Sequence, residues 1–436
     1  MKKQLTVWFL ATALLLLLSA CGNNSENGTS GNTAGENNSN TKAEAVTLKV
    51  SLTAQDMSGL EQLAKQYESE NDGVKINIER APDDQFKQTL GAQLAANEAP
   101  DLFVQWPGLS KIGLSINAGY LADLSDVAPV DNIDKGLLQG FSKDDKVYGI
   151  PWSKNYLAVY YNKDLFEANG IEVPTNWDEF LAACEKLKAA GVTPIGLGGK
   201  EASNVMFLWY ALAPSTVYAE DMDWDQKRYN NEVQFATSDS WKAVAEQYEQ
   251  LVDNGYISKD ALGVSGDSAR TSLGAGKAAM IIDGNWSMSG YEEIAKANNV
   301  NIGMFALPGN KAGEDIWLSS GPSTGLTLWS GSEHQEEAKK FLAFLYADDN
   351  YLTLIGPGQF STLKTVQPES SDMSADIMDV VQNAPAYQFL DIGWPSGANE
   401  AFNAPTQAAI GGATSFEEVL ESADQTWDKA AANMKK

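Results

Sequence analysis

Apolar residues first fall into order at Val46, Leu48, Val50 and Leu52, which alternate with polar neighbours at the period of a β-strand. Met57, Leu60, Leu63, Ala64 and Tyr67 then recur at helical spacing, and Asn71-Asp72-Gly73 closes that run. Val74, Ile76 and Ile78 alternate again, Phe86, Leu90 and Leu94 mark a second helix, and Leu102-Phe103-Val104 forms a short apolar strand after Pro100-Asp101. Strand, helix, strand, helix, strand predicts an α/β body built on a mainly parallel sheet flanked by helices.

The same alternation resumes past residue 170. Thr175 with Asp178 three residues on predicts a capping box ahead of the helical stripe Trp177, Phe180, Leu181, Cys184 and Leu187. Cys184 sits mid-stripe, the place of a core thiol. Trp241, Val244, Ala245, Tyr248, Leu251 and Val252 trace a long helix ended by Gly255. A strand from Ala278 to Ile282 breaks at Asp283-Gly284-Asn285-Trp286, and Phe341, Leu342, Phe344 and Leu345 line a later helix. No repeat of solenoid period occurs, so one continuous α/β body of two lobes is expected.

The first 45 residues follow neither pattern. Lys2 and Lys3, an apolar run from Val7 to Leu18, and Leu18-Ser19-Ala20 before Cys21 have the order of a secretory signal. That run is shorter than the roughly 20 residues a membrane-spanning helix needs. The tetrad ending at Cys21 resembles a bacterial lipobox, so residues 1–20 are expected to leave as a signal peptide and Cys21 to carry the lipid. The expected location is then the outer face of the cytoplasmic membrane. Residues 21–45 are almost wholly Asn, Gly, Ser, Thr, Glu and Ala, the composition of a flexible tether reaching roughly 25 to 30 Å.

Composition removes several function classes. A formal net charge of −27 repels nucleic acid and anionic membrane surfaces. With Cys21 acylated, Cys184 has no partner in the chain for a disulfide. His334 is the single histidine and Arg80, Arg228 and Arg270 are the only arginines, which is poor material for a transition-metal centre or a dedicated anion site. No cofactor and no metal are expected.

Twelve tryptophans carry the strongest chemical signal. Trp177, Trp241 and Trp427 lie on helices and read as core. Trp106, Trp152, Trp286 and Trp394 fall in turns, and in open α/β sheets ligands gather at such turns beyond strand ends. Flat aromatic faces beside polar side chains suit sugar rings, although each turn tryptophan serves equally well as a lid on a core edge.

Catalytic patterns are weaker. Gly321-Pro322-Ser323-Thr324-Gly325 matches a nucleophile elbow, but His334 follows by only eleven residues and leaves no room for the acid. Gly274-Ala275-Gly276-Lys277 lacks the first glycine of a phosphate-binding loop. Asp221, Asp223, Asp225 and Glu232 hold positions 1, 3, 5 and 12 of a calcium loop, yet Gln226 replaces the turn glycine and Lys227 and Arg228 oppose a cation. An acidic loop before a strand at 232–235 is the expectation there.

Several ordered segments together resemble a known family. These are Tyr148-Gly149-Ile150-Pro151, Tyr160-Tyr161-Asn162-Lys163-Asp164-Leu165-Phe166, Gly170-Ile171, Pro174, Trp177-Asp178-Glu179-Phe180, Gly276-Lys277-Ala278-Ala279-Met280, Asp283-Gly284-Asn285-Trp286 and the helix around Glu337-Ala338. They resemble family 1 of the extracellular solute-binding proteins, the sugar receptors of bacterial ATP-binding-cassette importers related to maltose-binding protein. The resemblance implies a two-lobed periplasmic-binding-protein-like fold with a hinge between lobes. One lobe is expected at 46–152 plus 303–355, the other at 153–302 plus 356–436. It implies ligand contacts at Trp286, with Asp283 and Asn285 beside it, near Asp56, and near Trp152, Asn155 and Tyr156; Trp106 and Trp394 join them more loosely. It also implies a neutral carbohydrate ligand, a membrane permease as partner, a monomer and no enzymatic activity. A surface glycoside hydrolase, or a sugar-sensing lipoprotein without transport, stays open as the alternative.

Overall fold

The computed structural model describes residues 45–434 apart from 55, 109, 357 and 396, so the expected signal peptide and tether and the lipid site at Cys21 lie outside the described residues. In chain order the strands are β1 (Val46–Thr53), β2 (Val74–Ala81), β3 (Leu102–Gln105), β4 (Ser142–Lys143), β5 (Lys146–Val147), β6 (Ile150–Pro151) and β7 (Lys154–Asn162). There follow β8 (Thr193–Ile195), β9 (Ala278–Gly284), β10 (Ile302–Phe305), β11 (Leu318–Pro322), β12 (Gly325–Leu328) and β13 (Ala386–Tyr387). No helix among the described residues is long and apolar enough to cross a membrane.

The first sheet has the order β2-β1-β3-β12-β6. β1 runs parallel to β2 and β3, as the strand-helix-strand alternation requires, while β12 enters antiparallel to β3 and β6. Leu48, Val50 and Leu52 of β1 pack against Leu60, Leu63 and Phe86 of the two crossover helices and against Phe341 and Leu342 of the helix Gln335–Leu345.

The second sheet, β13-β11-β7-β9-β8, is organised around β7, to which β10 also pairs. Here only β8 with β9 and β11 with β13 are parallel; β7 meets β9, β10 and β11 antiparallel. The mainly parallel arrangement therefore describes β2-β1-β3, and strands that cross between lobes arrive in the opposite sense. β7 is buried on both faces: Leu157, Val159 and Tyr161 enter one core, while Tyr156, Ala158 and Tyr160 enter another.

Three crossings join the lobes: a return between Val366 in the core of the first and Met373 in a core of the second, and two short ones, β6 to β7 through Trp152 and Ser153 and β11 to β12 through Ser323 and Thr324. The two short ones lie side by side, with the Ser323 N–H donating to the Ser153 carbonyl at 2.9 Å and the Ser153 N–H to Ser323 Oγ at 3.0 Å. The chain re-enters the first lobe at Gly325 and not at 303, because β10 and β11 both pair with β7. Leu363 and Val366, expected in the second lobe, still pack in the first core. Two local expectations also shift. Asn176, not Thr175, caps the helix Trp177–Ala189, accepting from the Glu179 N–H, and Thr175 instead donates to the Glu179 carboxylate. Residues 232–235 form no strand.

Candidate functional site

A cleft of about 430 Å³ opens between the lobes, beside both short crossings. The first lobe contributes residues from just beyond its strand ends. Asp56 follows β1 and is buried, and three donors already hold its carboxylate. Oδ2 accepts from the Thr53 N–H at 3.2 Å and Thr53 Oγ1 at 2.6 Å, and Oδ1 accepts from Thr324 Oγ1 at 2.7 Å. Thr324 in turn accepts from the Trp152 indole N–H at 3.0 Å, so both short crossings and the β1 turn share one hydrogen-bonded chain. A carboxylate offers about four acceptor sites. Among the described residues nothing takes the remaining acceptor site, on Asp56 Oδ1, which is available to a ligand hydroxyl.

The turn that carries Asp56 needs a brace, since Met57 adopts a left-handed φ of 45° that side chains rarely take. Arg80 supplies it. Its guanidinium donates to the Thr53, Asp56 and Met57 carbonyls and is fixed by Glu61, whose carboxyl it holds below the usual range.

Aromatic rings face the cleft from both lobes. Trp106, directly after β3, packs edge-on against Phe86 at 6.0 Å with the Lys87 ammonium 4.4 Å over its ring. Opposite, Trp286 follows β9 and stands edge-on to Phe207 at 5.8 Å and Phe389 at 6.2 Å, and Phe389 meets Tyr210 at 6.2 Å. At one rim the lobes touch: Lys111 pairs with Asp391, and Gly108, at φ 109°, packs so closely that a β-carbon would lie 2.8 Å from the Ile392 carbonyl oxygen. Past Asp56 and Trp286 the cleft continues into a more polar compartment of about 570 Å³, flanked by Arg80, Arg270, Glu61 and Glu293.

The sequence profile of the bacterial extracellular solute-binding proteins matches residues 51–351, more than half of the chain. The chain belongs to this family. It is a solute-binding protein, not an enzyme, of an extracellular class. Among its relatives, the multiple sugar-binding protein of Streptococcus mutans is 26% identical over 70% of this chain and 72% of its own. The melibiose/raffinose/stachyose-binding protein MelE of Bacillus subtilis is 25% identical over 65% of each. Among solved structures, a chitin oligosaccharide binding protein superposes with a TM-score of 0.78 at 25% identity, covering 89% of this chain and 99% of that one.

Of the residues expected at the site of this solute-binding protein, the fold brings Asp56, Trp106, Trp152, Asn155 and Trp286 onto the one cleft. Four others stand elsewhere. Trp394 is wholly buried in the second core among Phe235, Trp241, Phe402 and Trp427. Tyr156 points into the opposite core, its ring edge-on to Phe360 at 5.0 Å, because β7 alternates faces and Asn155 takes the cleft side. Asn285 is fully buried and bridges strands, accepting from the Tyr156 N–H at 2.9 Å and donating to the Lys154 carbonyl. Asp283 is held by Arg270 at 3.3 Å, Tyr291 Oη at 3.1 Å and the Gly284 N–H at 2.8 Å, so it fixes the turn on which Trp286 stands. Burial raises its carboxyl even against the Arg270 charge.

Phe207, Tyr210, Phe389, Asp391 and Thr324 line the cleft without having been expected there. Phe207 and Tyr210 lie on the helix Met206–Ala213, whose eight residues are all apolar or aromatic and give no stripe to read. Thr324 was visible only as part of a rejected nucleophile pattern. The calcium-loop candidate comes apart: Lys227 pairs with Asp221 at 2.7 Å, and Asp225 turns inward onto Tyr218, Tyr387 and Trp394.

Proposed function

We propose that this solute-binding protein captures a neutral oligosaccharide and presents it to the membrane permease of an ATP-binding-cassette importer, held near that permease by a lipid on Cys21. The observation that carries the reading is that one cleft is lined by aromatic side chains from both lobes, Trp106 from the first and Trp286 and Phe389 from the second, together with the Asp56 carboxylate. Aromatic faces take the apolar faces of pyranose rings, and a preplaced carboxylate takes a hydroxyl without further ordering. The second compartment beyond Trp286 favours a chain of several sugars over a single one. The sugar-binding roles of the Streptococcus, Bacillus and chitin-oligosaccharide relatives agree with that choice.

Isothermal titration and thermal shift of the protein against galacto-, raffinose-type, xylo- and chito-oligosaccharides of graded length test it. Saturable binding with unit stoichiometry, tighter for oligosaccharides than for their monosaccharides, is expected. Product accumulating beyond one equivalent would overturn the receptor reading in favour of a glycoside hydrolase, and silence across the panel would overturn the carbohydrate ligand.

A further inference from the structure

Asp225 has no part in the cleft, yet its surroundings are built around it. It is buried on the helix Trp224–Tyr229, with Oδ1 accepting from Tyr218 Oη at 2.7 Å and the Trp394 indole N–H at 3.1 Å, and Oδ2 accepting from Tyr387 Oη at 3.0 Å. The neighbouring cations are engaged elsewhere, Lys227 with Asp221 and Arg228 with Asp424 and Asp428. Tyr218 and Tyr387 stack with ring centroids 3.4 Å apart, and Tyr229 Oη donates to the Gly393 carbonyl at 2.9 Å. A β-carbon at Gly393 would come within 2.9 Å of Gln388 Nε2 and 3.5 Å of Asp225 Oδ2.

Tyr387 and Trp394 are the two ends of one short segment. Between them lie Phe389, Asp391 and Ile392, all lining the cleft, and Asp391 makes the ion pair to Lys111 in the other lobe. We infer that Asp225 is a positioning residue for the binding cleft, its single carboxylate tying both ends of segment 387–394 so that Phe389 and Asp391 face the ligand. The inference rests on the cleft being the binding site.

Titration follows from the same geometry. The groups facing Asp225 from the packed elements are Tyr218, Tyr229, Tyr387 and Trp394, none of them charged at neutral pH, and burial pushes its carboxyl up to about 6 against the pull of its three donors. Once protonated, one oxygen becomes a donor and a tyrosine hydroxyl must turn away. An acid whose folded value lies above its unfolded one adds stability at low pH and loses it as pH rises through the folded value. Asp225→Asn removes that dependence, so its melting temperature relative to wild type is expected to rise between pH 4 and pH 7.

The test combines a ligand-free readout with a binding one. In hydrogen exchange on the unliganded full chain, Asp225→Asn and Tyr387→Phe are expected to speed amides 388–394 at least tenfold and leave the helix Asp239–Asp253 unchanged. With stachyose and a chitin tetrasaccharide as probes, both variants are expected to bind at least fivefold more weakly. Wild-type Kd is expected to rise at least threefold from pH 7 to pH 5, with Asp225→Asn flat. Tyr387→Phe keeps its stacked ring and serves if Asp225→Asn does not fold. Wild-type exchange of 388–394 in both variants would overturn the proposal, as would a loosened segment with unchanged Kd. A loosened segment when wild type binds neither probe supports the anchor and counts against the carbohydrate reading alone.

Discussion

Trp286 and Trp394 are the same side chain in similar turn sequences, and the fold gives them opposite work. Trp394 is wholly buried with its indole N–H bonded to Asp225, so Trp394→Ala is expected to cost about 3 to 5 kcal/mol, read by chemical denaturation. Trp286 is half-buried at the cleft, and Trp286→Ala is expected to weaken oligosaccharide binding about tenfold, near 1.4 kcal/mol, while the unliganded melting temperature moves by only a few degrees. The reverse outcome, a large loss of stability with unchanged binding, would make Trp286 core. A turn tryptophan in sequence announces that something must be covered but not whether chain or ligand covers it. Hence Asp56, Trp106, Trp152, Asn155 and Trp286 were legible as neighbours on one cleft, whereas Trp394 was misplaced. Tyr156 and Asn285 were misplaced for another reason: adjacent residues on a strand or tight turn point to opposite sides.

Elements with one buried face were readable and those with two were not. β1, β2 and the helices Leu60–Glu70 and Asp239–Asp253 each alternate or repeat cleanly, and each lies where its pattern puts it. β7 and the helix Met206–Ala213 are buried on nearly every side, so their periodicity vanishes, and with it went Phe207 and Tyr210. The lobe boundary at 303 came from the family resemblance, and it moves because β10 pairs with β7 and packs in both cores of the second lobe. At the turn after β1 the supporting element decides function. Arg80 donates to three successive-turn carbonyls with a planar fork that an ammonium does not reproduce. Arg80→Ala and Arg80→Lys are therefore both expected to weaken ligand binding by titration calorimetry, with Asp56 displaced in the crystal structure of either variant. Full affinity in Arg80→Lys would show that charge alone, not the fork, holds the turn.

For the whole molecule the decisive geometry is how the two lobes, besides their covalent crossings, touch one another directly. The Ser153 and Ser323 backbones pair at the two short crossings, and Gly108 against Ile392 and Lys111 with Asp391 form a further contact between the lobes. The ion pair is partly exposed, and such pairs contribute at most about 1 kcal/mol, less in high salt. Close packing at Gly108 is the harder constraint, because backbone, not a flexible side-chain end, occupies the space a β-carbon would need, and its φ of 109° disfavours any other residue. Gly108→Ala is thus expected to hold the lobes apart at this rim. With ligand present, X-ray scattering should give a larger radius of gyration than wild type, and affinity should fall more than in Lys111→Ala, whose loss should shrink with added salt. If Gly108→Ala matches wild type in both scattering and affinity, the rim contact does not limit how far the lobes approach, and retention of the ligand rests on the aromatic walls and Asp56 alone.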